Sequence, residues 1–343
     1  APHAACPSGA SQASRAGRRR GPRPGLAVHP APQVHRKHAQ PSTHTLGGGT
    51  PMCAGCGGLS ALHEIYDVLG PKCVFVNAAG CMTLLSVYPF TPFQSSWLYT
   101  SMASAPAGAQ GVRDALDILL EQERIPPEED LDVVTLTGDG AAYGMGLSST
   151  STAIDRGLDF LYLCYDNEGY GNTGYQASAA TPHAARTATS AGPHGFSGHK
   201  KDLFSIWAAH RPTYVATVIG SEPVDLARKI ERAKSLGGPR LILALAPCPT
   251  GWEYEPRDSI EIGRLAVKTG VWPLKEYIDG QVRHTVVPTP RLPVERYLEQ
   301  QGRFAHLFEP DRKDELLVEL QARVDDYWNT IEPGQGDSSS ATP

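Results

Sequence analysis

An open α/β domain, a mostly parallel sheet with helices on both faces, is the fold class this 343-residue chain predicts. Short, nearly continuous apolar runs recur at 73–76, 133–137, 160–165, 213–218 and 241–245. Each is too short for a helix and lacks the polar alternation of a strand with one wet face, so they read as strands buried on both sides. Helical stretches at 58–69, 107–121, 147–156 and 223–235 separate them, and that alternation implies crossover connections in a parallel sheet. Four of the runs are followed at once by chemically unusual residues. In such a sheet ligands bind there, outside the carboxyl ends of the strands.

In chain order, residues 1–46 come first. They are rich in Ala, Pro, Ser, Arg and His, include Arg18, Arg19 and Arg20, and precede the first acid, Glu64. This composition predicts disorder. An acid-poor, Arg-bearing segment fits an organelle transit peptide or a translated upstream extension. Residues 47–333 read as one domain without internal repeats, and 334–343, with Ser338, Ser339 and Ser340, as a flexible tail. A net charge of -5 gives no basic footprint for nucleic acid, and no apolar run is long enough to cross a bilayer. Seven cysteines spread over this length read as reduced thiols rather than a disulfide framework. The expected location is the cytoplasm, or an organelle matrix if the extension is a transit peptide.

After the first strand comes Asn77-Ala78-Ala79-Gly80-Cys81, and after the second Gly138-Asp139-Gly140. The latter puts a carboxylate in a turn leading into a helix, with glycines that let backbone approach a ligand such as a diphosphate. Alone, the triplet is also an ordinary turn. After the third strand, 28 positions beyond Asp139, stands Asn167, within Asp166-Asn167-Glu168-Gly169-Tyr170-Gly171-Asn172-Thr173-Gly174. One helix and one strand return it beside Asp139. Mg2+ takes a few oxygen ligands from protein in a near-octahedral set, so Asp139, the Asn167 side-chain oxygen and a carbonyl near Gly169 would complete a site with two diphosphate oxygens and a water. Asp166 and Glu168 are then supporting carboxylates.

Cys53-Ala54-Gly55-Cys56 alone fits half a zinc ribbon, a redox dithiol or half a cluster site. A zinc ribbon needs a second close pair, and a thioredoxin-like dithiol a smaller βαβ setting. Cys81 and Cys248 each follow a strand on the ligand face, and Pro247 and Pro249 fix the backbone around Cys248. Four thiolates at one place suit a four-iron cluster. Cys6, Cys73 and Cys164 fall outside this set, and the last two read as small buried thiols. His183, Arg186, His194 and His199 are given no role.

The Gly-Asp-Gly turn followed by the Asn-containing turn resembles the thiamine-diphosphate signature. Its form here, with the run to Gln176-Ala177-Ser178-Ala179-Ala180-Thr181-Pro182 and with Cys53, Cys56, Cys81 and Cys248 in Ala246-Pro247-Cys248-Pro249-Thr250-Gly251-Trp252, resembles the beta subunit of 2-oxoacid:ferredoxin oxidoreductases. The resemblance runs from about Thr50 to Pro333. It implies thiamine diphosphate held by Gly80, Gly138, Asp139, Gly140, Asn167, Gly169, Asn172 and Thr173, with Asn172 also near the reacting centre. It further implies Mg2+ on Asp139, Asn167 and Gly169, and a [4Fe-4S] cluster on Cys53, Cys56, Cys81 and Cys248. The implied reaction is CoA-dependent oxidative decarboxylation of a 2-oxoacid, most commonly pyruvate, with single electrons passed to ferredoxin. The glutamate that activates thiamine is expected from a partner alpha subunit, beside gamma and delta-type subunits. In many relatives acidic or amide residues stand where this chain has Ser101-Met102-Ala103-Ser104-Ala105. Aryl, branched-chain, 2-oxoglutarate and oxalate substrates therefore stay open, as do a non-oxidative thiamine enzyme and a metal-stapled structural subunit.

Overall fold

A computed structural model describes residues 46–87 and 91–331. The expectations for Cys6, the Arg18–Arg20 run and Ser338–Ser340 lie outside the described residues. Helix α1 (Gly57–Leu69) leads into strand β1 (Cys73–Ala78), followed by β2 (Ser96–Thr100), α2 (Ala105–Glu121) and β3 (Asp132–Gly138). Next come α3 (Leu147–Asp155), β4 (Phe160–Asp166), α4 (Leu203–Ala209), β5 (Tyr214–Ile219), α5 (Pro223–Ser235) and β6 (Pro239–Leu245). The chain continues through α6 (Pro249–Trp252), α7 (Ser259–Lys268), β7 (Leu274–Ile278), β8 (Gln281–Val286), α8 (Glu295–Leu298) and α9 (Asp314–Asn329).

All five expected strands form, in one eight-stranded sheet ordered β2-β1-β3-β4-β6-β5-β7-β8. The first six are parallel to their neighbours, while β7 pairs antiparallel with β5 and β8 antiparallel with β7. The continuous apolar runs are explained by cover on both faces. Along β6, Leu241, Leu243 and Leu245 enter one core with Phe160, Tyr162 and Trp207, while Ile242 and Ala244 enter the other with Leu62, Phe75 and Ile230. Fully burying one such side chain is worth about 1.5–3 kcal/mol.

Three strands beyond the expected five appear. Strand β2 is an edge with Leu98 and Tyr99 exposed, so it lacks a buried strand's apolar signal. The β7–β8 hairpin turns through Asp279 (φ 52°) and Gly280 (φ 79°), both left-handed as a tight hairpin turn requires. That Asp-Gly pair was the readable signal for it.

The order of strands positions the site. Strands β1, β3, β4 and β6 are consecutive in the sheet, with Gly138 level with Tyr165 and Asp166 level with Leu245. The four motif-bearing loops therefore leave one continuous stretch of sheet edge.

Candidate cofactor site

Asp139 opens a wide helical turn, Gly140–Met145, before α3. Neither flanking glycine has a positive φ. Both are needed for space: a Cβ on Gly140 would lie 2.2 Å from the Tyr170 ring, and one on Gly138 3.1 Å from the Tyr165 ring. Tyr165 also closes on Gly80, where a Cβ would meet its hydroxyl at 2.4 Å. The glycines predicted for close approach thus have tyrosines of this chain against them.

The Asp139 carboxylate is 1% exposed, and the Ser178 hydroxyl donates to its Oδ2. Burial, reinforced by the Asp166 charge, pushes its carboxyl well above the ordinary range. Among the described residues it has no ion-pair partner. Asn167, 6% exposed, brings one end of its amide to 2.7 Å from Asp139 Oδ1 and 2.8 Å from the Gly169 carbonyl oxygen. An amide nitrogen at that position donates to both. An amide oxygen there makes three oxygens face one another with no hydrogen between, an arrangement that a hard cation stabilises. The Asp139 carboxylate, an Asn167 amide oxygen and the Gly169 carbonyl are donor types that would suit Mg2+.

The turn carrying Asn167 is clamped from below. Lys200 Nζ lies 2.7 Å from Asp166 Oδ2 and 2.8 Å from Glu168 Oε1, and Arg303 donates to Glu168 Oε2 at 2.7 Å. Tyr143 donates to Asp166 Oδ2 at 2.5 Å, and Asp166 Oδ1 accepts from the Glu168 N–H at 3.1 Å. These bonds hold Glu168 at φ 62°, a left-handed conformation costly for a residue with a side chain. The Asn167 carbonyl accepts from Trp252 Nε1 at 2.9 Å and the Tyr175 hydroxyl at 3.4 Å. The Arg303 guanidinium in turn stacks 4.0 Å from the Trp252 ring. Despite burial, the Lys200 and Arg303 charges hold the Glu168 carboxyl below its usual range. Burial raises Asp166.

Sequence reading missed Lys200, Arg303, Tyr143 and Ser178 as parts of this site. Ser178 lay within the quoted motif and Arg303 within the resembling stretch. Lys200 follows a long irregular loop and gave no local signal. Asn172 and Thr173 are exposed on the single turn Gly171–Thr173, where the Thr173 hydroxyl donates to the Tyr170 carbonyl at 3.3 Å.

The cysteine loops are pressed together by backbone. Gly57 N donates to the Pro247 carbonyl at 2.9 Å, and a Cβ on Gly57 would lie 2.5 Å from Pro247 Cδ. Cys56 caps α1, its Sγ accepting from Leu59 N at 3.4 Å, and Cys248 caps α6, accepting from Gly251 N at 3.4 Å. Gly55 has φ 70°, and a Cβ there would lie 2.4 Å from the Pro256 carbonyl oxygen. Cys81 meets the group from the other side, with Asn167 Nδ2 3.9 Å from its Sγ. Burial pushes the Cys56 thiol up to about 11 and the Cys81 thiol up to about 12, and the charges of Cys53 and Cys248 add to both shifts. Among the described residues no three or more His, Cys, Asp or Glu side chains are gathered as a single metal ion would need them. Cys73 and Cys164 are buried free thiols in β1 and β4, as expected.

No helix among the described residues is long and apolar enough to cross a membrane.

Comparison with known proteins adds relatives. Residues 78–244 match the family described as thiamine pyrophosphate enzyme, C-terminal TPP binding domain. Pyruvate synthase subunit PorB of Methanocaldococcus jannaschii is 41% identical over 278 residues, covering 80% of this chain and 92% of that one. Ketoisovalerate oxidoreductase subunit VorB of Pyrococcus abyssi is 35% identical over 305 residues, covering 87% and 96%. Among solved structures, a 2-oxoglutarate:ferredoxin oxidoreductase from Magnetococcus marinus matches with a TM-score of 0.51 at 21% identity, over 67% of this chain and 82% of that chain, a likeness of fold.

Proposed function

The chain belongs to the thiamine-diphosphate-binding beta-subunit family of the 2-oxoacid:ferredoxin oxidoreductases, and from that premise we propose that it serves CoA-dependent oxidative decarboxylation of pyruvate. A [4Fe-4S] cluster held by this chain would supply a one-electron path toward ferredoxin. The observation that carries this reading is one amide, Asn167, lying between the Asp139 carboxylate and the Cys81 sulfur. A cation-diphosphate site and a thiol group thus meet at four neighbouring strand ends.

When bound, thiamine diphosphate supplies the electron sink for decarboxylation. This chain's residues position it. Asp139, Asn167 and the Gly169 carbonyl hold the Mg2+ that pairs with the diphosphate, and Gly80, Gly138 and Gly140 keep backbone close. Asn172 and Thr173, exposed on their turn, would contact the cofactor near the reacting centre. Glu168 is committed to Lys200 and Arg303, so it cannot serve as the activating acid. That glutamate comes from a partner alpha subunit, and further subunits of the gamma and delta kinds carry electrons onward. Cys53, Cys56, Cys81 and Cys248 ligate the cluster. Free thiols in the described chain suit the reducing cytoplasm.

The VorB relatives support a second substrate class, branched-chain 2-oxoacids. The complex purified anaerobically with its partner subunits is offered a panel of 2-oxoacids with CoA while ferredoxin reduction is followed. Pyruvate should give the highest kcat/KM, with no turnover if CoA is withheld. Preference for 2-oxoisovalerate would move the assignment to the branched-chain class, and CoA-independent decarboxylation would refute the oxidoreductase reading.

A further inference from the structure

Asn167 is more than a cation ligand in waiting. A primary amide has one acceptor end and one donor end, and they exchange places on a half turn of the side chain. Here the backbone cannot turn with it, because Trp252 and Tyr175 both hold the Asn167 carbonyl. Only two arrangements are then open. With the oxygen toward Asp139 and Gly169, the NH2 faces Cys81 Sγ at 3.9 Å. With the amide reversed, the NH2 donates to Asp139 and Gly169, and the oxygen faces the sulfur. A cation on Asp139 accepts only the first arrangement. An iron-bound thiolate, with no proton to give, also takes only the first.

Resting on the function proposed above, we propose that Asn167 is a positioning residue that couples the cofactor's cation site to the cluster. One amide orientation serves both, so filling either site favours filling the other. In that orientation an N–H donates to a cluster thiolate and stabilises the more negative, reduced state. The cluster therefore becomes a better electron acceptor when the diphosphate site is occupied. Gly171 is the wall that makes the contact possible, since a Cβ there would lie 2.6 Å from Asn167 Nδ2 and 3.4 Å from Cys81 Sγ. Its φ is not positive, so alanine fits the backbone while displacing the amide.

The test uses the full chain reconstituted anaerobically with iron and sulfide. Its midpoint potential is followed by electron paramagnetic resonance with and without Mg2+ plus thiamine diphosphate. Asn167→Asp keeps an oxygen for the cation and presents no N–H to sulfur; Gly171→Ala keeps the asparagine but displaces its amide from the sulfur. In the wild type, Mg2+ affinity on the order of tenfold tighter for the reduced cluster is expected, equal to a rise of about 59 mV for a one-electron couple. That rise should at least halve in Asn167→Asp, where the potential without cofactor is also lower, with Gly171→Ala between the two. An equal rise in all three chains would overturn the coupling and leave only the cation's own field. A chain that takes up no iron would refute the cluster assignment, and the coupling with it. A cluster whose potential ignores Asn167 refutes the coupling alone.

Discussion

Asp139 and Asn167 sit on two neighbouring loops, and the turn carrying Asn167 is braced by ion pairs. Lys200 and Arg303 pair with Asp166 and Glu168, Tyr143 donates to Asp166, Trp252 and Tyr175 donate to the Asn167 carbonyl, and Ser178 donates to Asp139. The thiol side is built differently. Cys56 and Cys81 rest as half-buried thiols with raised proton affinity, and the loops of Cys56 and Cys248 are joined by one backbone bond and by the fit of Gly57 on Pro247. The contrast is between two kinds of support, ion pairs around the Asn167 turn and backbone contacts around the cysteines.

The largest break in this contrast is expected at Asp139. Asp139→Ala should weaken thiamine diphosphate retention at least ~100-fold, by loss of a charged ligand in a buried site, while iron content stays at the wild-type level. Cofactor assay after gel filtration checks it. Iron lost in parallel would mean that the two ends are not built independently. Next is the clamp. Lys200→Met leaves Asp166 and Glu168 without one partner in the interior and should cost about 3–5 kcal/mol in denaturant unfolding. Lys200→Arg should recover part of this; a stability unchanged in Lys200→Met would show that the turn does not depend on its ion pairs.

On the thiol side, Gly55→Ala should cost about 1–3 kcal/mol, because φ 70° and the Pro256 carbonyl both oppose a side chain. Iron uptake should fall with it, which a metal assay after reconstitution would report. The raised thiols also fix the sign of a pH effect. Without metal, the folded chain keeps protons on Cys56 and Cys81 that the unfolded chain releases above pH ~9, so stability is full below that value. It should decline as pH rises toward about 11 for Cys56 and about 12 for Cys81. The cluster-bearing chain should lack this decline, since its thiolates hold no protons. Thermal melts across that range separate the two. The smallest effect is expected outside both ends. Cys164→Ala should cost on the order of 1 kcal/mol and leave iron and thiamine contents unchanged.

The same contrast explains what could be read without coordinates. Strands β1, β3, β4, β5 and β6 were legible because cover on both faces demands continuous apolar runs. Strand β2, half exposed at the edge, carries no such run. The four loops were legible because their residue types are unusual and follow strands directly. Lys200 and Arg303 were not, since a buried counter-charge is recruited by the folded geometry and is bound by no spacing rule. The exposure of Asn172 and Thr173 depends likewise on the turn that closes at Gly174 (φ 107°), which no periodicity encodes.

Two different cofactors at the two ends of one chain would give separable metal and thiamine contents. Iron, sulfide, zinc and bound thiamine diphosphate should be measured in a single anaerobic preparation of the complex, with Cys81→Ser treated alike. The account predicts about four irons and as many sulfides assignable to this chain, a clear loss of both in Cys81→Ser, and thiamine diphosphate in each sample. Zinc in place of iron, or iron indifferent to Cys81→Ser, would contradict it.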